Sequence, residues 1–404
     1  MFENIIGNLS TISIIKKELS KGIFPRASLL YGPAYTGKLS TALEIARVLV
    51  CEKKTALWSC DCYQCKLNKE LLHPYITLLG FRYFNTEITA CGDVLKRVKK
   101  PASRFLFIRA VRKLTRRFDP VIWEGEEGTF KRVREIILEI EELLDSLGQE
   151  AAFLDDQLLI KIIGTVINLA SKLTTFLSTD NIPINFIRKA IQWAHLSSPG
   201  PPKILILENA ENMLESSRNA TLKILEEPPP NVYLILTVTR LANLIPTIRS
   251  RLRRYKFLER QEAEVKDILS RIFHEESLDF SSLRSYFLAW QEINLSMIAN
   301  LAKTFFQKVV DVKTRNIDIL NEMQELFSSQ ETKKIISLFV QELLLVLSNL
   351  FHKKFDLSET EYQMPDTSRL KHWVEIIGKR YQEHNTLNLQ AQLFVQNLFY
   401  QMKA

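Results

Sequence analysis

Apolar and polar positions divide the chain into short buried runs in its first part and long helical stripes that take over afterwards. Residues Ala27 to Tyr31 form an apolar run of the length of a strand covered on both faces, and Lys203 to Leu207 and Val232 to Thr237 are two more. Ahead of the first run, Ile12, Ile15 and Leu19 recur at helical spacing, with Gly22 as the expected stop. Ser40 to Val50 reads as a helix directly after the first strand. Phe130, Val133, Ile136, Ile137, Ile140, Leu143, Leu144 and Leu147 follow i, i+3, i+4, i+7 spacing up to Gly148, and Leu158 to Leu177 is a second, more apolar helix. The two are expected to bury their stripes against each other as an antiparallel hairpin. Asp180 to Pro183 breaks the pattern, and a further helix runs through Phe186, Ile187, Ile191 and Trp193. Ser197 to Pro202 is a loop by composition, and Ser216 to Glu227 is a helix stopped by Pro228, Pro229 and Pro230. From Glu259 onward the pattern is helical, strongest over Ile335 to Leu350 and Leu387 to Leu398. This is the pattern of a mixed α/β head with a parallel sheet, followed by all-α regions.

Composition adds that 404 residues, 46% hydrophobic and 25% charged, suit a soluble globular protein of about two or three domains. The longest apolar run, Leu158 to Ala170, is broken by Lys161 and Asn168, and no basic-then-apolar leader opens the chain, so a cytoplasmic protein without membrane contact is expected. A net charge of +8 leaves room for an acidic partner such as nucleic acid. Much of it is concentrated in Lys96, Arg97, Lys99, Lys100, Arg104, Arg109, Arg112, Lys113, Arg116 and Arg117, interleaved with Phe105, Phe107 and Phe118. That run suits a phosphate backbone, a solvated helix face, or a partner for the acidic helix that follows.

Three constellations carry chemistry. Between the first strand and its helix, Gly32, Gly37 and Lys38 fit a phosphate-binding loop G-x-x-x-x-G-K-[ST], whose backbone N–H groups and lysine cradle phosphates. Leu39 stands where the Mg²⁺-binding hydroxyl belongs, with Ser40 one place further on. At the end of the Lys203 strand, Glu208 is placed to reach Mg²⁺ directly or through water, but Asn209 occupies the position of a second, water-activating carboxylate. Finally, Cys51, Cys60, Cys62 and Cys65, spaced C-x8-C-x-C-x2-C, suit a structural tetrahedral Zn²⁺ in a reducing compartment, with Trp58, Ser59 and Asp61 in the knuckle. His73 is an alternative ligand, and Cys91 is expected as a buried small hydrophobe.

In this order the motifs resemble the bacterial clamp-loader subunits of DNA polymerase III, of the AAA+ class, most strongly the delta-prime subunit and then gamma/tau. Phe2 to Gly7 resembles the family's opening box, His73-Pro74 its "HPD" box with Tyr75 in the Asp place, and Ile182 to Ala190 the helix before its second core strand. Asn219 to Pro229 is close to "NALLKxLEEPP", and Ser250-Arg251-Leu252 falls on the "SRC" motif. The likeness runs to about residue 260, apart from the stretch between Pro101 and Asn181; beyond, His384 to Leu389 resembles the last helix.

The resemblance implies an AAA+ P-loop-type head over residues 1–258, with an inserted zinc module at about 51–65 and a helical insertion at about 102–181. A small helical lid over 259–315 and an all-α collar for oligomerisation over 316–404 would follow. It implies a subunit of a hetero-oligomeric ring that opens a sliding clamp and loads it on primed DNA, as part of the polymerase holoenzyme. With Leu39 and Asn209 in place of the motor residues, Gly32, Gly37, Lys38, Ser40 and Glu208 would form a degenerate site with weak or absent ATP/Mg²⁺. Arg251 would then act as an arginine finger on ATP held by a neighbouring subunit. The alternatives are a gamma/tau-like motor in which Ser40 and Glu208 replace the missing groups, and a DNA-binding adaptor using the basic run.

Overall fold

The structure is a computed structural model and describes residues 1–54, 56–82, 84–149, 155–177, 181–196, 200–275, 280, 282–290, 295–311, 332–351, 366–387 and 389–403. Asp180, Ser197 to Pro199 and, in the expected collar, 316–331 and 352–365 lie outside the described residues. The chain divides into two compact units, Met1–Trp290 and Gln291–Ala404.

The first unit is built on strands β1 (Ala27–Tyr31), β2 (Ile76–Leu79), β3 (Lys203–Leu207), β4 (Val232–Val238) and β5 (Arg253–Lys256). Its helices are α1 (Leu9–Ser20), α2 (Lys38–Val50), α3 (Tyr63–Lys69), α4 (Phe84–Val98), α5 (Pro101–Thr115), α6 (Glu127–Gln149), α7 (Asp156–Thr174), α8 (Ile184–His195), α9 (Glu215–Glu226), α10 (Pro246–Arg249), α11 (Glu262–Arg271) and α12 (Leu283–Ala289). The strands form one parallel sheet in the order β2-β3-β4-β1-β5.

Side chains alternate across this sheet, as a strand dictates. Leu29, Leu205, Leu207, Leu234 and Leu236 face one layer of helices. Leu30, Ile204, Ile206, Ile235 and Tyr255 face the other, where α1 and α2 contribute Ile12, Ile15, Leu43 and Ile45. Two strands escape the hydrophobic pattern. β2 is only four residues long, between Pro74 and Gly80, and β5 buries Tyr255 alone among charged neighbours, as an edge strand can. Gly80 lies at φ +94°, and a Cβ there would sit 2.0 Å from the Glu208 carbonyl oxygen, so only glycine lets β2 turn out beside the end of β3.

The expected helical pair is α6 and α7, which pack on each other through Val133, Ile140, Leu144, Ile163 and Val166. α6 runs through Gly148 to Gln149 instead of stopping at the glycine. α7 also packs on α4 and α5; it is long and apolar enough to cross a membrane, but its stripe from Leu159 to Leu173 is buried in this core. α11 and α12, from the stretch expected as a lid, add Val265, Leu269, Tyr286 and Phe287 to the same core.

The second unit holds, among the described residues, only helices: α13 (Leu295–Val310), α14 (Thr332–Phe351), α15 (Thr367–Leu387) and α16 (Ala391–Lys403). Phe305, Phe339, Trp373 and Phe399 are buried in it, and the Trp373 indole donates to the Met402 carbonyl at 2.6 Å. The division after Trp290 falls inside the stretch expected as the lid.

Candidate functional site

The glycine-containing loop expected to bind phosphate connects the C-terminal end of β1 to the first turn of α2, whose N-cap is Gly37. Gly32 is at φ +146°, and a Cβ there would meet the Phe257 carbonyl oxygen at 2.1 Å. The loop's polar groups are satisfied internally. Lys38 Nζ donates to the carbonyls of Gly32 at 2.6 Å and Pro33, and Thr36 Oγ1 donates to Pro33 at 2.9 Å. Lys38 is only 7% exposed. Burial pushes its pKa down to about 8, against the opposing charges of Glu211 and Glu208.

Arg260, which lies beyond β5, braces the loop: its Nε donates to the Tyr35 carbonyl at 3.2 Å and its Nη1 to the Ile6 carbonyl. A Cβ on Gly37 would lie 2.7 Å from Arg260 Nη2. Tyr35 itself stacks on Phe287 of α12, ring centroids 5.3 Å apart. Leu39 is buried in the core around Ile12 and Leu43, whereas Ser40 is exposed to solvent.

Glu208 is where the sequence puts it, at the end of β3, but its carboxylate is engaged. Arg117 Nη2 lies 2.6 Å from Oε2 and Arg82 Nη1 lies 3.6 Å from Oε1. Arg117 is buried, donates also to the Leu79 carbonyl, and sits over the Phe84 ring at 5.5 Å. Burial lowers its pKa to about 10. Arg82 continues the network to Glu87 at 3.0 Å, which Lys113 also reaches at 2.5 Å. Leu39 offers no oxygen and both oxygens of Glu208 face arginines, so these two positions do not form a free divalent-cation pair.

Asn209, at left-handed φ +53°, donates through Nδ2 to the Phe81 carbonyl at 2.8 Å. Glu211, three residues beyond Glu208, accepts from the backbone N–H of Thr239 at 2.7 Å and from its hydroxyl at 2.5 Å. The sequence does not assign Arg82, Arg117 or Arg260 to this site because each reaches it from a distant segment, whereas Glu211 lies on the same short stretch as Glu208 and was not singled out.

The four cysteines converge. Cys51, Cys60, Cys62 and Cys65 are buried, and their sulfurs lie within 4.8 Å of one another. The Cys51–Cys60 separation of 3.8 Å matches the edge of a tetrahedron with metal–sulfur bonds of about 2.3 Å. The donor set therefore fits Zn²⁺, which would cross-link the loop after α2 to α3. His73 is not part of it: its Nδ1 accepts from the Tyr75 N–H at 3.2 Å, and burial beside Arg116 lowers its pKa to about 4. Cys91 is buried in the apolar core, as expected.

Arg251 follows α10 on the surface, its side chain 31% exposed and ion-paired with Glu226 of α9. Its Nε donates to Glu226 at 2.6 Å and its Nη1 to the Thr247 carbonyl. Much of the basic run is engaged in ion pairs and hydrogen bonds within the fold, Arg112 and Arg117 buried and Arg97, Lys99 and Lys100 exposed. Arg112 meets Glu141 at 3.0 Å and Asp145 at 3.6 Å on the acidic helix α6. Lys99 pairs with Asp156, Arg97 with Asp93, and Arg116 with Asp119, while Arg109 donates to the Asn68 and Lys69 carbonyls at the end of α3. The run thus cements α5 between the cysteine module, the β2 edge and α6.

Comparison with known proteins bears on the same regions. A family model described as "DNA polymerase III, delta subunit" matches residues 7–143 and 160–261. The match takes in the sheet, the phosphate loop, the cysteines and Arg251, and runs through most of the stretch expected as an insertion. The chain is 45% identical over 49 residues to DNA polymerase III subunit delta' of Haemophilus influenzae, covering 12% of this chain and 15% of that protein. It is 36% identical over 73 residues to subunit delta' of Yersinia pestis, covering 18% and 21%. It is 33% identical over 76 residues to subunit gamma/tau of Mycobacterium bovis, covering 19% and 13%. The matched stretches thus span less than a quarter of each curated relative.

Proposed function

Since the chain belongs to the family described as DNA polymerase III, delta subunit, we propose that it is a delta-prime-like stator of a clamp loader, a subunit that assists ATP hydrolysis in a neighbour without carrying it out. The observation that carries this reading is the state of Glu208, whose carboxylate is held by Arg117 at 2.6 Å and faced by Arg82. Phosphoryl transfer depends on positioned metal and water. Here Leu39 is buried, Glu208 is neutralised by cations, and Asn209 cannot accept a proton. Lys38 is folded back onto its own loop.

The subunit's contribution is Arg251. Its half-buried guanidinium, oriented by Glu226 at the surface, is suited to reach the γ-phosphate of ATP bound next door. Such a finger contributes about 10³ to 10⁵ in rate. The partners are the other ring subunits and, through the complex, the sliding clamp and primed DNA, in the cytoplasm. The cysteine module carries a structural Zn²⁺.

Reconstitution with ATPase motor subunits, clamp and primed DNA tests this. Arg251→Ala should suppress clamp- and DNA-stimulated ATP hydrolysis and loading while the ring still assembles; unchanged rates in an intact ring overturn the finger. Separately, substantial ATP hydrolysis by the isolated chain that Lys38→Ala abolishes would replace the stator by a gamma/tau-like motor.

A further inference from the structure

Behind the cysteine site lies an arginine that the sequence pattern does not single out. Arg47, on the last turn of α2, is fully buried, and all five of its N–H donors are used. Nε and Nη2 hold Glu44 at 2.9 and 2.7 Å. Nη2 also donates to the Ala56 carbonyl at 2.7 Å, and Nη1 to the Leu57 carbonyl at 2.9 Å. The remaining donor points at Cys65 Sγ, 3.3 Å away. One guanidinium thus grips a candidate metal ligand and the loop between Cys51 and Cys60.

Glu44 extends the chain of contacts. Beyond its bidentate pair with Arg47, it accepts from the backbone N–H of Phe2 at 3.1 Å. Glu3 in turn accepts from the Trp58 N–H at 2.8 Å, and the Trp58 ring lies under the Arg47 guanidinium at 5.6 Å. Four thiolates around a divalent ion carry a net charge of about −2, and a buried anion needs charge-assisted donors. Arg47 supplies a fixed cationic donor at the sulfur, and Glu44 locks its plane.

We propose that Arg47 is the positioning residue of the cysteine site, holding Cys65 and the Ala56–Leu57 carbonyls in ligating geometry, and that its pairing with Glu44 ties metal retention to α2 and to the first residues of the chain. The metal, when bound, supplies the cross-link between the sulfurs; Arg47 and Glu44 set where those sulfurs stand. The inference rests on the cysteine cluster alone and is independent of the stator reading.

The test uses the full chain loaded with zinc and follows transfer of zinc to a coloured chelator at neutral pH. Removing an outer partner of a metal ligand typically costs about 10–100-fold in affinity, and Arg47→Met should release zinc faster by a factor of that order. Arg47→Lys, which keeps the charge but offers fewer and differently aimed donors, should fall between Arg47→Met and the unaltered protein. Glu44→Gln should also accelerate release. Melting of the zinc-loaded and metal-free forms separates positioning from packing: Arg47→Met should lower the loaded form's midpoint more. Equal lowering of both forms, with release within about twofold of the unaltered protein, overturns the proposal. If Arg47→Met does not fold, Arg47→Lys and Glu44→Gln decide, and unaccelerated release in both overturns it.

Discussion

Replacing Arg117 by methionine removes the cation that occupies Glu208 while keeping most of the apolar length of the side chain. In the native protein the pair is separated by 2.6 Å, with side-chain exposures of 1% and 10%. Breaking a buried pair by deleting one partner costs about 3–5 kcal/mol, because the other charge stays behind in a poorly solvated place. Two features reduce that here. Arg82 remains 3.6 Å from the other carboxylate oxygen, and the Leu79 carbonyl that Arg117 also contacts keeps the Glu208 N–H as a donor at 2.9 Å. A loss of about 2–4 kcal/mol for the first unit is therefore expected. Urea unfolding followed by far-UV circular dichroism measures it as a lower midpoint at unchanged slope. Glu208→Gln in the Arg117→Met background should recover part of the loss, since the stranded charge is then gone. A loss below about 1 kcal/mol, or strictly additive single and double variants, would show that Arg117 does not hold Glu208. The carboxylate would then be free for a metal, and Glu208 would no longer speak against hydrolysis by this chain.

Lys38 binds its proton less tightly folded, at about 8, than its ordinary value of 10.5, so the unfolded chain holds more protons between these pH values and stability should rise with pH across that window. Lys38→Met should flatten the rise in midpoints measured from pH 8 to 10. His73 is likewise depressed, from 6.5 to about 4, and its neutral Nδ1 accepts from Tyr75, so stability should decline as pH falls from 6.5 towards 4. His73→Asn should remove that part of the acid-side slope; an unaltered slope refutes the burial argument. Gly32→Ala puts a Cβ 2.1 Å from the Phe257 carbonyl at φ +146° and should cost about 3 kcal/mol or more, whereas a melting point within about 2 °C of the unaltered protein would show that the loop yields.

What could be read without coordinates was what local pattern encodes. β1, β3, β4, the phosphate loop and the cysteine quartet each reside in one short stretch whose spacing carries the information. β2 was too short for periodicity to speak, and β5 presents charged edge positions around Tyr255. The basic run admitted three readings, among them a partner for the acidic helix, and Arg112 does meet Glu141 and Asp145 on α6. That Arg117 reaches Glu208 at the end of β3 and Arg109 the carbonyls of α3 was not legible. The departures at Leu39 and Asn209 were legible by residue type, and the structure places Leu39 in the core and Asn209 on the Phe81 carbonyl. That Arg117 and Arg82 engage Glu208, and that Arg260 braces the loop, depend on tertiary contacts that no single-chain pattern displays.

The sheet order also imposes a timetable on synthesis. β1 pairs with β4 and β5, Ala27 opposite Leu234 and Ser28 opposite Arg253, so β1 has no sheet neighbour until the chain has grown by some two hundred residues. At typical elongation rates that wait lasts about 10–40 s, during which Leu29 and Leu30 lack their covering strands. The cysteine quartet, complete at Cys65 and so well before β2, can close long before. Nascent chains stalled before Val232 should be protease-sensitive in β1 yet already able to hold zinc, and those stalled well beyond Lys256 protected in both. The cysteine module would then be the first fixed point of a head in which β1, the first strand made, is among the last to be enclosed.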